Sequence, residues 1–135
     1  MTRFLAVAAV LALLAAAPTA EAQGRRPARS LSANEAIKRC SDASYGNEDM
    51  TFCVSQFLDR EDARLNRAYQ AAMARLSPPQ RVSLRNAQRR WIRDRDAECN
   101  SSGEDLRSGS DITMCHLRLT ERRADELERN GRRSR

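Results

Sequence analysis

The chain has 135 residues and a net charge of +6; charged side chains fill 31% of positions and aromatic ones only 4%. That length is enough for one domain with one modest core, and so few aromatics leave that core thin, built of Leu, Ile, Val, Met and Ala. A single histidine and cysteine neighbours 13 and 16 positions apart exclude the close-paired zinc pattern, which needs spacings such as C-x2-C.

Met1 to Arg3 is a short positive start, and Phe4 to Ala17 is an unbroken apolar run of fourteen residues. Small residues then precede Gln23. This is the three-part pattern of a secretory signal peptide over residues 1–22, cut between Ala22 and Gln23. The apolar run is too short to cross a bilayer, which takes about twenty residues. The expected mature protein is periplasmic or secreted and has no transmembrane segment. No cysteine stands at the cleavage point to carry a lipid anchor.

In an oxidising compartment the four cysteines, Cys40, Cys53, Cys99 and Cys115, read as two disulfides. Four cysteines allow three pairings. Cys40–Cys53 with Cys99–Cys115 is favoured, because each closes one turn-rich loop. Cys53–Cys99 stays open as a staple at a hairpin base. Loops of this size are worth about 3 kcal/mol each on a chain-entropy argument.

Residues 23–31 hold Gly, Pro and three Arg without apolar periodicity, and read as a flexible basic linker. A helical domain is expected over 32–130. Ser32-Ala-Asn-Glu35 fits a capping box, so a short helix runs from Ala33 towards Cys40. Ser41 to Asp49 is turn chemistry throughout. The first main helix is expected from Met50 to Leu76, with Val54, Phe57, Leu58, Leu65, Ala68, Tyr69, Ala72 and Leu76 in one stripe that Glu61 and Asp62 interrupt.

Ser77-Pro78-Pro79-Gln80 stops that helix and starts the next, with Pro78 at the first helical position, Ser77 as cap and Gln80 returning the bond. The second helix runs to Glu98. Leu84, Ala87, Trp91 and Cys99 mark its inner face, and Arg81, Arg85, Arg89 and Arg93 form an outer basic ridge. Asn100 to Ser110 is a loop. Asp111 is the expected cap of the third helix, which carries Ile112, Cys115, Leu119 and Leu127 on one side and stops at Gly131. Residues 131–135 are an expected disordered basic tail.

The fold class is therefore all-α: a small antiparallel bundle of three main helices plus a short N-terminal one, with two disulfides. The short turn at Ser77 makes the first two main helices antiparallel. Counting outwards from the turns gives an apolar layer of Leu65, Trp91 and Leu119, and a polar layer of Asn66, Gln88 and Arg123.

Little chemistry of an enzyme is visible. His116 stands beside Cys115, which a disulfide silences, and successive helical residues point about 100° apart. No oriented third group is evident. Neither a phosphate-binding Gly loop nor a dinucleotide pattern is present. Trp91 and Arg95 stand one turn apart, so the guanidinium can lie over the indole. Asp94, Asp96 and Glu98 cancel the positive field at this end, unlike a nucleic-acid-binding helix.

Met50 and Cys53, Leu65-Asn66 with Tyr69, Ala87-Gln88-Arg89 with Trp91, Arg95-Asp96, Cys99, Gly109-Ser110, Cys115, Thr120, Arg123 and Leu127 follow one another in an order and spacing that resembles the lysozyme inhibitor LprI-like N-terminal domain family. The resemblance covers roughly Cys40 to Leu127. It implies an exported, mainly helical bacterial protein and, for some members, inhibition of host lysozyme, while the residues themselves lead to the expectation of no catalytic residue, no metal and no cofactor. This chain differs from the founding type in lacking a lipoprotein cysteine and in being strongly basic. The expected function is a periplasmic binding protein that inhibits a lysozyme or another muramidase by steric occlusion. The loop Asn100 to Ser110 and neighbouring Arg are its expected contact. The alternative is a structural cell-envelope factor that holds anionic polymer or lipid on Arg81, Arg85, Arg89 and Arg93.

Overall fold

The computed structural model describes residues 30–100 and 108–133. The predicted signal peptide with Ala22 and Gln23, most of the predicted linker, and residues 101–107 of the predicted loop lie outside the described residues. Four helices follow one another: α1 (Ala33–Ala43), α2 (Asn47–Arg75), α3 (Pro78–Asn100) and α4 (Gly109–Arg133). The all-α bundle expected from periodicity is the fold observed. Among the described residues no helix is long and apolar enough to cross a membrane.

Local sequence explains the starts. Ser32 and Glu35 form the predicted capping box: Ser32 Oγ accepts from the Glu35 amide, and the Ser32 amide donates to Glu35 Oε2. At α3, Gln80 Oε1 accepts from both the amide and the hydroxyl of Ser77, as the turn sequence implied. For α4 the cap differs from expectation. Ser108 caps it, with Asp111 three residues on accepting from the Ser108 amide while its own amide donates to Ser108 Oγ. Asp111 is thus the returning member of a capping box, and its acid suits the positive end of the helix.

Three boundaries also move. Ser41 to Asp49 is not all turn: α1 continues to Ala43 and α2 begins at Asn47. Glu48 and Asp49, in the first turn of α2, complement its dipole. At the other end, Gly131 does not stop α4, which runs on to Arg133, so the start of the expected tail is helical. Gly131 keeps a negative φ. Its carbonyl accepts from Arg75 Nη1 at 2.8 Å, and a Cβ there would lie 2.9 Å from that same nitrogen. Gly131 thus admits a side chain from α2 and has no role as a left-handed stop.

The helices are not equal partners. α2 and α4 run side by side along most of their length, while α3 leans mainly on α4. Pairing of Asp62 with Arg95 and clustering of Leu65 with Trp91 make α2 and α3 antiparallel, but their contact is through side chains. The cause lies in α3 itself: Cys99 is its one fully buried residue among the described positions. The bulky Trp91 and Arg95 on its inner face hold the two backbones apart.

Two apolar clusters form the core. Ala33, Ala36, Cys40, Val54 and Leu117 pack where α1 crosses α2 and α4. Leu65, Ala68, Ala124 and Leu127 pack further along, with Tyr69, Leu84 and Trp91 against them. Both favoured disulfides are present: Cys40–Cys53 ties α1 to α2, and Cys99–Cys115 ties α3 to α4.

Candidate functional site

Gln88, Arg95, Asp96, Thr120 and Arg123 of the motif converge on one place between α2, α3 and α4. Arg95 is the hub. Its Nε donates to Asp96 Oδ1 at 3.0 Å, and its Nη1 donates to Thr120 Oγ1 at 3.3 Å and lies 3.7 Å from Asp62 Oδ1. One side chain thereby links all three helices. Its guanidinium also lies over the Trp91 ring, 5.2 Å from the centroid, and that of Arg123 lies over the same ring at 5.9 Å. Arg123 in turn donates to Gln88 Oε1 at 3.0 Å and pairs with Glu126 at 2.7 Å. The half-buried indole is thus partly enclosed by two cations that are themselves held by acids or amides, a geometry that favours cation–π attraction.

His116 borders this network. Its Nε2 is buried without a hydrogen-bond partner among the described residues and lies 4.0 Å from Asp96 Oδ1. Burial pushes its pKa below the ordinary value, and the Arg95 charge pushes the same way. Asp62 is shifted up, because its burial outweighs the attraction of Arg95. Cys115, the neighbour of His116, is locked in its bond to Cys99.

The counted layers are only partly realised. Gln88 and Arg123 meet, but Asn66 stands exposed on α2. Leu119 is buried, yet Ala124 and Leu127 supply α4's part of the cluster around Leu65. The stand-off of α3 from α2 shifts the layers away from the positions that close packing of all three helices gives.

A second hub lies in the region where charges interrupt the α2 stripe. Arg64 donates to Glu128 from Nε (2.9 Å) and Nη2 (2.8 Å), to Glu61 at 3.1 Å, and to Asp125. Glu61 is buried at 6% exposure, and burial raises its pKa against the pull of Arg64. Arg64 is shifted further up from its already high value, chiefly by its bonds to Glu128. The two shifts are consistent, since one cation is shared among three acids and Glu61 receives only part of it. Periodicity marked Glu61 as a break in the stripe, but gave no sign that Arg64 would reach α4.

The basic ridge faces out. Arg81, Arg85, Arg89 and Arg93 are all exposed. Arg81 is already engaged, its Nε donating to the Met73 and Leu76 carbonyls at 3.0 and 2.9 Å, where it closes the end of α2. Val82 and Ile92 share the outer face at 53% and 41% exposure. At the disulfide end Tyr45 and Phe52 are exposed, and Ser110 bonds Asn47. Between α3 and α4 an open groove of about 360 Å³ passes Cys115 and Leu119. Among the described residues no group of three metal-binding side chains gathers.

The chain is 30% identical over 97 residues to an uncharacterized protein of Rhizobium meliloti (strain 1021), covering 59% of this chain and 70% of that protein. No solved structure matches it significantly. Residues 40–127 match the family described as lysozyme inhibitor LprI, a span that contains both disulfides, the Arg95 hub and the enclosed Trp91, and the chain belongs to that family.

Proposed function

We propose that this chain is an exported binding protein that inhibits a lysozyme-type muramidase by occluding its cleft. The observation that carries this reading is the match to the lysozyme inhibitor LprI family over residues 40–127. The geometry supports it in two ways. Gln88, Trp91, Arg95, Asp96, Thr120 and Arg123 of the motif contact one another between the helices and so build a scaffold, while Arg89 faces out. That scaffold is pinned by two disulfides, which fits an oxidising compartment and presents a preorganised surface.

Charge narrows the target. A chain of net charge +6 meets a basic lysozyme slowly and docks on it poorly, whereas a neutral or acidic muramidase is favoured. A turbidity assay of cell-wall lysis with a panel of lysozymes of different net charge tests this. Slowing of the neutral or acidic members at micromolar oxidised protein is the expected result. Unslowed lysis across the panel would remove the reading.

A second reading, a structural envelope factor holding anionic polymer or lipid, is favoured by the exposure of Arg85, Arg89 and Arg93. It requires binding to anionic vesicles or polymer that falls with salt and falls further when these Arg become Gln. Binding indifferent to salt counts against it.

A further inference from the structure

We propose that the outward face of α3 is the inhibitory surface, and that Arg85, Arg89 and Arg93, flanked by Val82 and Ile92, seat in the acid-lined substrate cleft of the target enzyme. This rests on the inhibitor reading above and names its contact.

Four observations converge. First, α3 stands off from α2 and leans on α4, exposed along its outer side yet anchored at its far end by Cys99–Cys115 and near its middle by Trp91. Such a ridge is convex and held, the shape a cleft accepts. Second, its charge is segregated. Pro78 to Arg93 contains five Arg and no acid, and the acids Asp94, Asp96 and Glu98 follow only afterwards. Only Arg81 stands in the first turn, where the helix dipole acts; Arg85, Arg89 and Arg93 lie in the interior of α3. A solvated face would interleave the signs, so the segregation answers to something outside the fold.

Third, among the described residues Arg85, Arg89 and Arg93 are exposed and no acid pairs with them, unlike Arg64, Arg95 and Arg123. Arg81 is set apart by its bonds to the α2 carbonyls. Fourth, Val82 and Ile92 project from the same face, about 15 Å apart along the axis. Apolar side chains bracketing cations make a surface that loses water on docking and strengthens the charge contacts within it.

The partner's chemistry completes the fit. Glycoside hydrolysis uses two carboxyl groups about 5 to 9 Å apart flanking the scissile bond. Guanidinium groups one helical turn apart arise from Cβ atoms about 6 Å apart. Each planar fork can take a carboxylate in bidentate fashion, so two successive Arg of the ridge can engage an acid pair together. Occupying those acids excludes the glycan.

The test measures inhibition of a muramidase that the oxidised wild-type protein slows. The triple variant Arg85→Gln, Arg89→Gln and Arg93→Gln is expected to raise the inhibition constant about a hundredfold. Its melting temperature should be unchanged, since only exposed side chains with no acid partner among the described residues are altered. Wild-type inhibition should raise KM and leave kcat, and should weaken with salt. The pair Tyr45→Ala and Phe52→Ala, at the disulfide end, should inhibit like wild type. Full inhibition by the triple variant, or loss confined to the Tyr45 and Phe52 pair, overturns this surface while the inhibitor reading stands. Failure of the wild type to slow any muramidase overturns that reading itself.

Discussion

The guanidinium of Arg95 lies 5.2 Å from the centre of the Trp91 ring and bonds Thr120 on α4, so the anchor of α3 and its electrostatic link to the bundle are one unit. Trp91 packs on the Leu65 and Leu127 cluster. Replacing Trp91 by Ala removes apolar contact and uncovers two cations, at a cost of about 2–4 kcal/mol, somewhat below that of a fully buried Trp. Urea denaturation of the oxidised protein measures it. A cost under about 1 kcal/mol would show that α3 is held without its aromatic anchor.

Arg95 itself tests the three-helix link. Arg95→Ala leaves Asp62 and Asp96 facing His116 without their cation, whereas Arg95→Lys keeps the charge but loses the fork. The Ala variant is expected to lose about 2–3 kcal/mol and the Lys variant roughly half of that. Equal stability of all three proteins in a denaturant melt would show that the network contributes nothing.

At the second hub, Arg64→Ala strands Glu61, Asp125 and Glu128 close together with Glu61 buried. The expected loss is about 2–3 kcal/mol at neutral pH. Adding Glu61→Gln to the Arg64→Ala variant should recover part of it, by removing the most buried of the three charges. A double mutant less stable than the single would contradict this account.

The pH dependence has a sign that follows from burial. The folded pKa of His116 lies below its ordinary 6.5, so the fold prefers the neutral ring. Its contribution is therefore complete above that value and is lost as pH falls through it. Glu61, raised above 4.5 by burial, runs the other way: its contribution is present below 4.5 and lost as pH rises through the folded value. Replacing His116 by Gln should flatten the fall in melting temperature between about pH 7 and pH 5, whereas Glu61→Gln should leave that fall in place. An unaltered slope in the His116 variant would assign the fall to another group.

The Cys99–Cys115 bond closes a 16-residue separation and is the covalent hold on an otherwise lightly packed helix. Replacing both cysteines by Ser should cost about 3 kcal/mol. The loss should be local. Amide exchange in α3 should quicken before that of α2 and α4, whose long mutual packing persists. Uniform acceleration across all helices would mean that the bundle opens only as a whole.

Much of the architecture was legible in one dimension. Apolar spacing, the Ser32 and Ser77 signals and the two prolines defined the helices because their causes are local. The cysteine pairing could be favoured because each bond closes a single short excursion. What periodicity misplaced were features whose cause lies on another helix. Gly131 admits Arg75, Arg81 closes the end of α2, and Arg64 reaches two acids on α4. No local pattern distinguishes these Arg from their solvated neighbours.

The amino-acid order by itself determined that the chain is helical, where α1 and α3 begin and which cysteines sit beside which turns, since capping, proline geometry and hydrophobic period act over a few residues. Only the tertiary structure decided which arginines are committed and which are free. That sorting depends on the stand-off of α3 and the close pairing of α2 with α4, and it follows from the volume of Trp91 and the reach of Arg64 and Arg95 across the helix interfaces.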